Sequence, residues 1–133
     1  MRAALITLLL ASPAAAQDFT LDAQHAGFRE YYCVTEGTLT NHGQATLQEV
    51  NGYFLLYRAG EEIGRSRGSS FLALTPGTEA TARMEAPHSP CDTADEYRFV
   101  VNACMQDSRF IDRATCADML AGTGPVTAIT ARE

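Results

Sequence analysis

The chain has 133 residues, 46% hydrophobic and 20% charged, and its 16 acidic groups outnumber 10 basic ones for a formal net charge of −6. That length suits one domain with one core, and the acidic balance repels phosphate backbones, which argues against nucleic-acid binding. Every basic residue is arginine, a bias we assign to codon usage because lysine is absent throughout.

Residues 1–16 read as a secretory signal peptide. Arg2 gives the positive start, Ala3 to Ala11 a short apolar core, and Ala14-Ala15-Ala16 a small-residue cleavage site before Gln17. The apolar run is shorter than the about 20 residues of a spanning helix, and no later stretch is long enough, so no membrane span is expected. The expected product is residues 17–133, a single β-sandwich domain in a periplasm or outside the cell. Without Arg2, 9 arginines face 16 acids, a net charge of −7.

Residues 17–27 form a polar lead-in with one short strand from Phe19 to Leu21. A strand follows over residues 31–40, with Tyr32 and Val34 on one face and Cys33, Thr35, Gly37 and Leu39 on the other. Gly37 leaves room for a neighbouring chain in the core. Asn41-His42-Gly43 makes a turn in which Asn41 bonds its own backbone and tolerates the left-handed region. Residues 47–58 alternate between an apolar face of Val50, Gly52, Phe54 and Leu56 and a second row of Tyr53, Leu55 and Tyr57. A turn at Ala59-Gly60-Glu61-Glu62 leads into a short strand from Ile63 to Arg67.

Pro76-Gly77 suits the two central positions of a type II turn. Residues 78–86 alternate Ala80, Ala82, Met84 and Ala86 against Glu79, Thr81, Arg83 and Glu85, the pattern of a half-buried strand. Pro87 and Pro90 bracket a loop into Cys91. Residues 96–105 form a strand with Tyr97, Phe99, Val101 and Ala103 inward. Residues 112–121 suggest a helix capped by Asp112 and closed by Gly122, with Cys116, Met119 and Leu120 on one face. Val126 to Thr130 gives a last strand. Short strands with turns between them indicate an all-β immunoglobulin- or fibronectin-III-like antiparallel sandwich of about seven strands plus one short C-terminal helix.

The segments Gly37 to Gly43, Leu47, Val50, Phe54-Leu55-Leu56-Tyr57, Gly60, Ile63-Gly64, and Leu74 with Pro76-Gly77 resemble the FxLYD family of bacterial exported modules. The resemblance spans residues 32–87. Its signature falls on Phe54, Leu56 and Tyr57, with Arg58 where the family carries Asp. The resemblance implies a binding or accessory module and brings no active site.

All four cysteines, Cys33, Cys91, Cys104 and Cys116, follow the signal segment. An even count in an exported chain points to two disulfides, while a four-thiolate zinc site would show paired C-x-x-C spacing. In an immunoglobulin-like arrangement the start of strand 31–40 lies near the end of strand 78–86, which favours Cys33–Cys91 and leaves Cys104–Cys116. By alternation Cys104 falls on the outer face of strand 96–105. Its bridge would then lay the helix over Tyr53, Leu55 and Tyr57, with Val100 beside them.

No catalytic set is apparent. His25, His42 and His88 sit in loops or the lead-in, no Gly-x-Ser-x-Gly elbow occurs, and the acidic pairs Glu61-Glu62 and Asp95-Glu96 sit at turns. The chain does not read as an enzyme, and no cofactor is expected. Met84 and His88 could suggest a copper site, but Met84 belongs to an inward face, so no metal ligands are assigned. Arg58, Arg65 and Arg67 form a possible interaction patch for an acidic partner, or charges that guard an edge strand. The expected function is an exported, non-enzymatic module acting by contact with another exported or envelope protein. The alternatives are a periplasmic small-ligand or metal-binding protein, or an inhibitor of an exported hydrolase.

Overall fold

A computed structural model describes residues 17–133; the signal peptide expected over residues 1–16 lies outside the described residues. The elements run β1 (Phe19–Arg29), β2 (Tyr32–Asn41), β3 (Leu47–Arg58), β4 (Glu61–Arg65), β5 (Ser69–Leu74) and β6 (Glu79–Pro87). After a 3-10 turn at Cys91–Thr93 come β7 (Glu96–Gln106), β8 (Arg109–Ile111), α1 (Arg113–Asp118), β9 (Leu120–Gly122) and β10 (Val126–Ala131). Two sheets form an all-β sandwich: a four-stranded sheet ordered β6-β2-β1-β9, and a six-stranded sheet ordered β10-β7-β3-β4 that adds β5 on β3 and β8 on β7.

Alternation sets the inner faces. Val50, Gly52, Phe54 and Leu56 of β3 are buried while Asn51, Tyr53, Leu55 and Tyr57 between them are not. Leu39 of β2 and Ala82, Met84 and Ala86 of β6 meet them from the other sheet. The centre is aromatic: the Phe54 and Phe99 rings lie 5.1 Å apart, and Phe71 and Phe99 lie 6.0 Å apart. Gly37 provides the space for them, since a Cβ there would come within 2.9 Å of Phe71 and 3.1 Å of Phe54. Burial of such rings is the main stabilising contribution.

Asn41 organises one end of the sandwich. Its buried side chain donates to the carbonyls of Ala45 (2.8 Å) and Leu74 (2.9 Å) and accepts from the Gly43 N–H (2.9 Å). Nearby, Gly77 at φ 77° completes the turn with Pro76, where the Thr78 N–H reaches the Thr75 carbonyl at 3.1 Å.

Several sequence expectations change. The lead-in is a full strand: β1 pairs with β2 from Phe19↔Asn41 to Arg29↔Tyr32, and Phe19, Leu21 and Ala23 are buried. Its polar alternate residues, such as Asp22 and Gln24, conceal that pattern. Residues 69–74, left without a strand above, form β5 on β3. The helix is six residues long, because Leu120 to Gly122 peel off to pair with β1. Asp112 does cap it, accepting from the Thr115 N–H at 3.0 Å. The last strand, β10, runs parallel to β7, unlike the all-antiparallel arrangement expected.

The largest correction concerns β7. Its ladder with β3 passes from Gly52↔Val101 to Asn51↔Ala103, so Asn102 is an extra residue. A β-bulge of this kind inverts the alternation beyond it. Ala103 becomes half-buried, and Cys104 turns inward opposite Val50 and is fully buried. Gly52 makes the bulge possible, because a Cβ there would collide with the Val100 carbonyl and the Phe99 ring.

The structure joins Cys33 to Cys91 and Cys104 to Cys116, with Cα separations of 5.7 and 6.2 Å. Since Cys104 faces the core, its bridge draws α1 into the mouth of the sandwich. Cys116 and Ala117 enter the core there, and the helix packs on β7, β10 and β9. Among the described residues, no helix is long and apolar enough to cross a membrane.

Candidate functional site

With the helix placed elsewhere, Tyr53, Leu55 and Tyr57 stay half-buried on the outer face of β3. Both tyrosines carry a guanidinium. Arg98 of β7 lies 3.9 Å over the Tyr57 ring, and Arg65 of β4 lies 5.5 Å over the Tyr53 ring. Cross-strand pairing explains the placement, since Leu55 stands between Arg98 on one side and Arg65 on the other. Each arginine also has a carboxylate: Arg98 with Glu96 at 3.1 Å, Arg65 with Glu62 at 3.6 Å. Thr127 of β10 donates to the same Glu96 oxygen. That bond first, and Arg98 second, hold the Glu96 carboxyl below its ordinary range, while Glu96 raises Arg98. Farther along the face, Asn102, Asn51, Ser70 and Glu49 form a hydrogen-bonded chain.

The expected arginine patch is not assembled. Arg58 is exposed at the β3–β4 turn, Arg65 lies on Tyr53, and Arg67 lies on the other sheet, 4.8 Å over the Tyr32 ring. Ser66 separates the last two. Its N–H and hydroxyl satisfy the carbonyl and N–H of Phe54 at 2.9 and 2.8 Å, filling the gap between β4 and β5. The next N–H, from Arg67, bonds the Glu85 carbonyl of β6 at 2.8 Å. Between β4 and β5, which both pair with β3, the chain thus leaves the ladder at Ser66 to touch β6, and strand alternation no longer relates Arg65 to Arg67.

Arg67 instead borders a cleft of about 500 Å³ with Arg29, Arg83, Glu85, Val34 and Phe28. Arg83 pairs with Glu36 at 3.0 Å and Arg29 with Glu85 at 3.6 Å. Arg29 and Arg83 were not singled out in the sequence, since only the β1–β2–β6 pairing brings them beside Arg67.

The histidines and Met84 occupy separate places. His42 bonds the Thr20 hydroxyl at 2.8 Å, and His88 sits at φ 53° in the loop before Cys91. Met84 is buried and its sulfur accepts from the Ser66 hydroxyl, so it offers no ligand to a His88 site. Glu61 is exposed at the β3–β4 turn, and Asp95 accepts from the Ala59 N–H at 3.2 Å. His25 is different: its Nδ1 lies 3.7 Å from the Cys33 sulfur and 3.6 Å from the Cys91 sulfur. No spacing rule relates these three, because β1, β2 and the 3-10 turn meet only in the folded chain.

No family model matches the chain, and searches of curated proteins and of solved structures return no match either.

Proposed function

We propose that this is an exported, non-enzymatic module that acts by contact with another protein through the outer face of its six-stranded sheet. The observation that carries this reading is the row Tyr53, Leu55 and Tyr57, half-exposed and overlaid by Arg65 and Arg98. Tyrosine and arginine dominate binding hot spots, because they combine a large contact area with directional polar groups. Cross-strand stacking fixes their rotamers beforehand, which lowers the entropy lost on binding. The two disulfides are compatible with an oxidising compartment. The signal-peptide pattern of residues 1–16 and the FxLYD resemblance of Phe54, Leu56 and Tyr57 support the same reading.

The test is site-specific photocrosslinking in envelope extract with the probe at Leu55, against a control at Thr81 on the opposite sheet. A discrete adduct at Leu55, lost in Tyr53→Ala/Tyr57→Ala, is the expected result. Equal labelling at both positions, or turnover of a substrate by the purified chain, overturns the proposal.

A second reading rests on the cleft. Arg67 has its ring partner but, among the described residues, no carboxylate within ion-pair distance. A guanidinium beside Val34 and Phe28 suits a small carboxylate with an apolar body. Under this reading a panel of such acids raises the melting temperature of the wild type and leaves Arg67→Ala unmoved.

A further inference from the structure

We infer that Cys33, Cys91 and His25 are a latent metal site: once the disulfide is reduced, the two thiolates and the imidazole hold one thiophilic cation, Zn²⁺ or Cu⁺. The site stands apart from the tyrosine row and does not depend on the contact role.

Its geometry is already close to a coordination shell. A tetrahedral ion with bonds of about 2.3 Å to sulfur and about 2.0–2.1 Å to nitrogen places nitrogen and sulfur about 3.6 Å apart. His25 Nδ1 stands 3.7 and 3.6 Å from the two sulfurs. All three donor atoms lie within 4.8 Å of one another, and reduction frees the sulfurs to part to the about 3.8 Å that the same shell requires. Among the described residues, no comparable group of His, Asp or Glu accompanies Cys104 and Cys116.

The fold holds the histidine there and leaves a path to it. The β1 ladder is irregular between His25 and Phe28, with Gly27 at φ 103°, and the Phe28 ring packs edge-on to His25 at 5.2 Å. β9 covers β1 only from Phe19 to Leu21, so His25 sits at an open edge, exposed, while both sulfurs are buried. Thr35 stands directly across the ladder from His25, and among the described residues its buried hydroxyl has no hydrogen-bond partner. Opposed residues of an antiparallel pair project to the same side, so Thr35 adds an unpaired polar group on the His25 side of the ladder. Two thiolates neutralise Zn²⁺, which makes a buried complex electrostatically affordable. Thiolate and imidazole are also the donors that select Zn²⁺ and Cu⁺.

The electron count closes with a dithiol reductant. The Cys33–Cys91 bond takes two electrons and two protons from the dithiol, which becomes a disulfide. The cation then displaces the two thiol protons. A disulfide oxidant reverses the sequence: it takes two electrons from the thiolates and two protons from water to become a dithiol, the Cys33–Cys91 bond forms and the cation is released.

The test uses the full processed chain, oxidised or reduced anaerobically with a phosphine. It is titrated with Zn²⁺, with Co²⁺ as its coloured substitute, and separately with Cu⁺ against a chromophoric competitor. The reduced chain should take up one equivalent and show thiolate-to-Co²⁺ charge transfer, while the oxidised chain takes up none. His25→Ala should weaken uptake at least tenfold, and Cys104→Ala/Cys116→Ala should retain it. The proposal is overturned by His25→Ala binding as tightly as wild type. It is equally overturned by a reduced chain that loses its sheet circular dichroism and does not regain it with one equivalent of Zn²⁺.

Discussion

The two disulfides close the sandwich by different means. Cys33–Cys91 spans a sequence separation of 58 and ties β2 to the turn before β7, with an exposed histidine against it. Cys104–Cys116 spans a separation of 12 and pulls α1 against the strand end that lies beyond the Asn102 bulge. The first links parts brought together by sheet order, whereas the second links neighbours whose facing depends on one inserted residue. One bridge therefore reports on global topology and the other on a local irregularity.

The sharpest way to break that contrast is to remove each bridge. Loop-closure entropy assigns about 4 kcal/mol to the long bridge, so Cys33→Ala/Cys91→Ala should lose about that much in urea unfolding. Cys104→Ala/Cys116→Ala should lose about 3 kcal/mol. A reversed order would mean that packing of α1, and not chain closure, governs the short bridge.

Deleting Asn102 tests the local side directly. Restored alternation would turn Cys104 outward, so thiol titration of the folded variant should find two free cysteines. Its stability should fall by at least the about 3 kcal/mol of the lost bridge. An intact Cys104–Cys116 bond would show that the bulge moves along β7 instead of vanishing.

Smaller changes separate the two ends further. Asp112→Ala removes the cap of α1 and should cost about 1 kcal/mol in thermal or urea unfolding. The effect should be smaller still once the Cys104–Cys116 bridge is absent and the helix is no longer tethered.

At the opposite end, Glu96 gives a pH dependence. Its carboxyl is held below the ordinary glutamate range by Thr127 and then Arg98. A lowered folded pKa gives stability that is present above the unfolded value and lost as pH falls through the folded one. Glu96→Gln should therefore lower the melting temperature slightly at neutral pH, converge with wild type at low pH, and so flatten part of the acid limb of the melting-temperature profile. The carboxylate is exposed enough that the effect should be the smallest of these.

Much of the frame was legible because burial enforces a period of two. The inward rows Val50–Leu56 and Ala82–Ala86 sit where alternation puts them. Gly37 opposite the aromatic core and the turn at Pro76-Gly77 follow from the same elementary stereochemistry. Asp112 was legible as a cap because its carboxylate can reach N–H groups that a helix start leaves free. Only Phe19 to Leu21 of β1 was legible, because its exposed alternates are polar and its latter half is irregular. β5 was missed because Leu72, a large apolar residue, points outward at 60% exposure and blurs the pattern.

The candidate sites were less legible, and for one reason. The tyrosine row was visible as a row, but whether it was covered depended on the facing of Cys104. The three arginines were close in sequence, yet the irregular link at Ser66 puts the Arg65 and Arg67 guanidiniums over rings of different sheets. His25 was read only as a lead-in histidine because the sulfurs beside it come from residues 8 and 66 positions away.

By itself the sequence determined the inward rows of β3 and β6, the main turns, and that its thiols come in an even number. Those properties are local: they follow from side-chain polarity, backbone freedom and composition. Tertiary structure alone decided which way β7 faces after Asn102, where α1 docks, and which charges and rings meet. One extra residue in a ladder costs the sequence pattern nothing, yet it exchanges inside for outside along everything that follows.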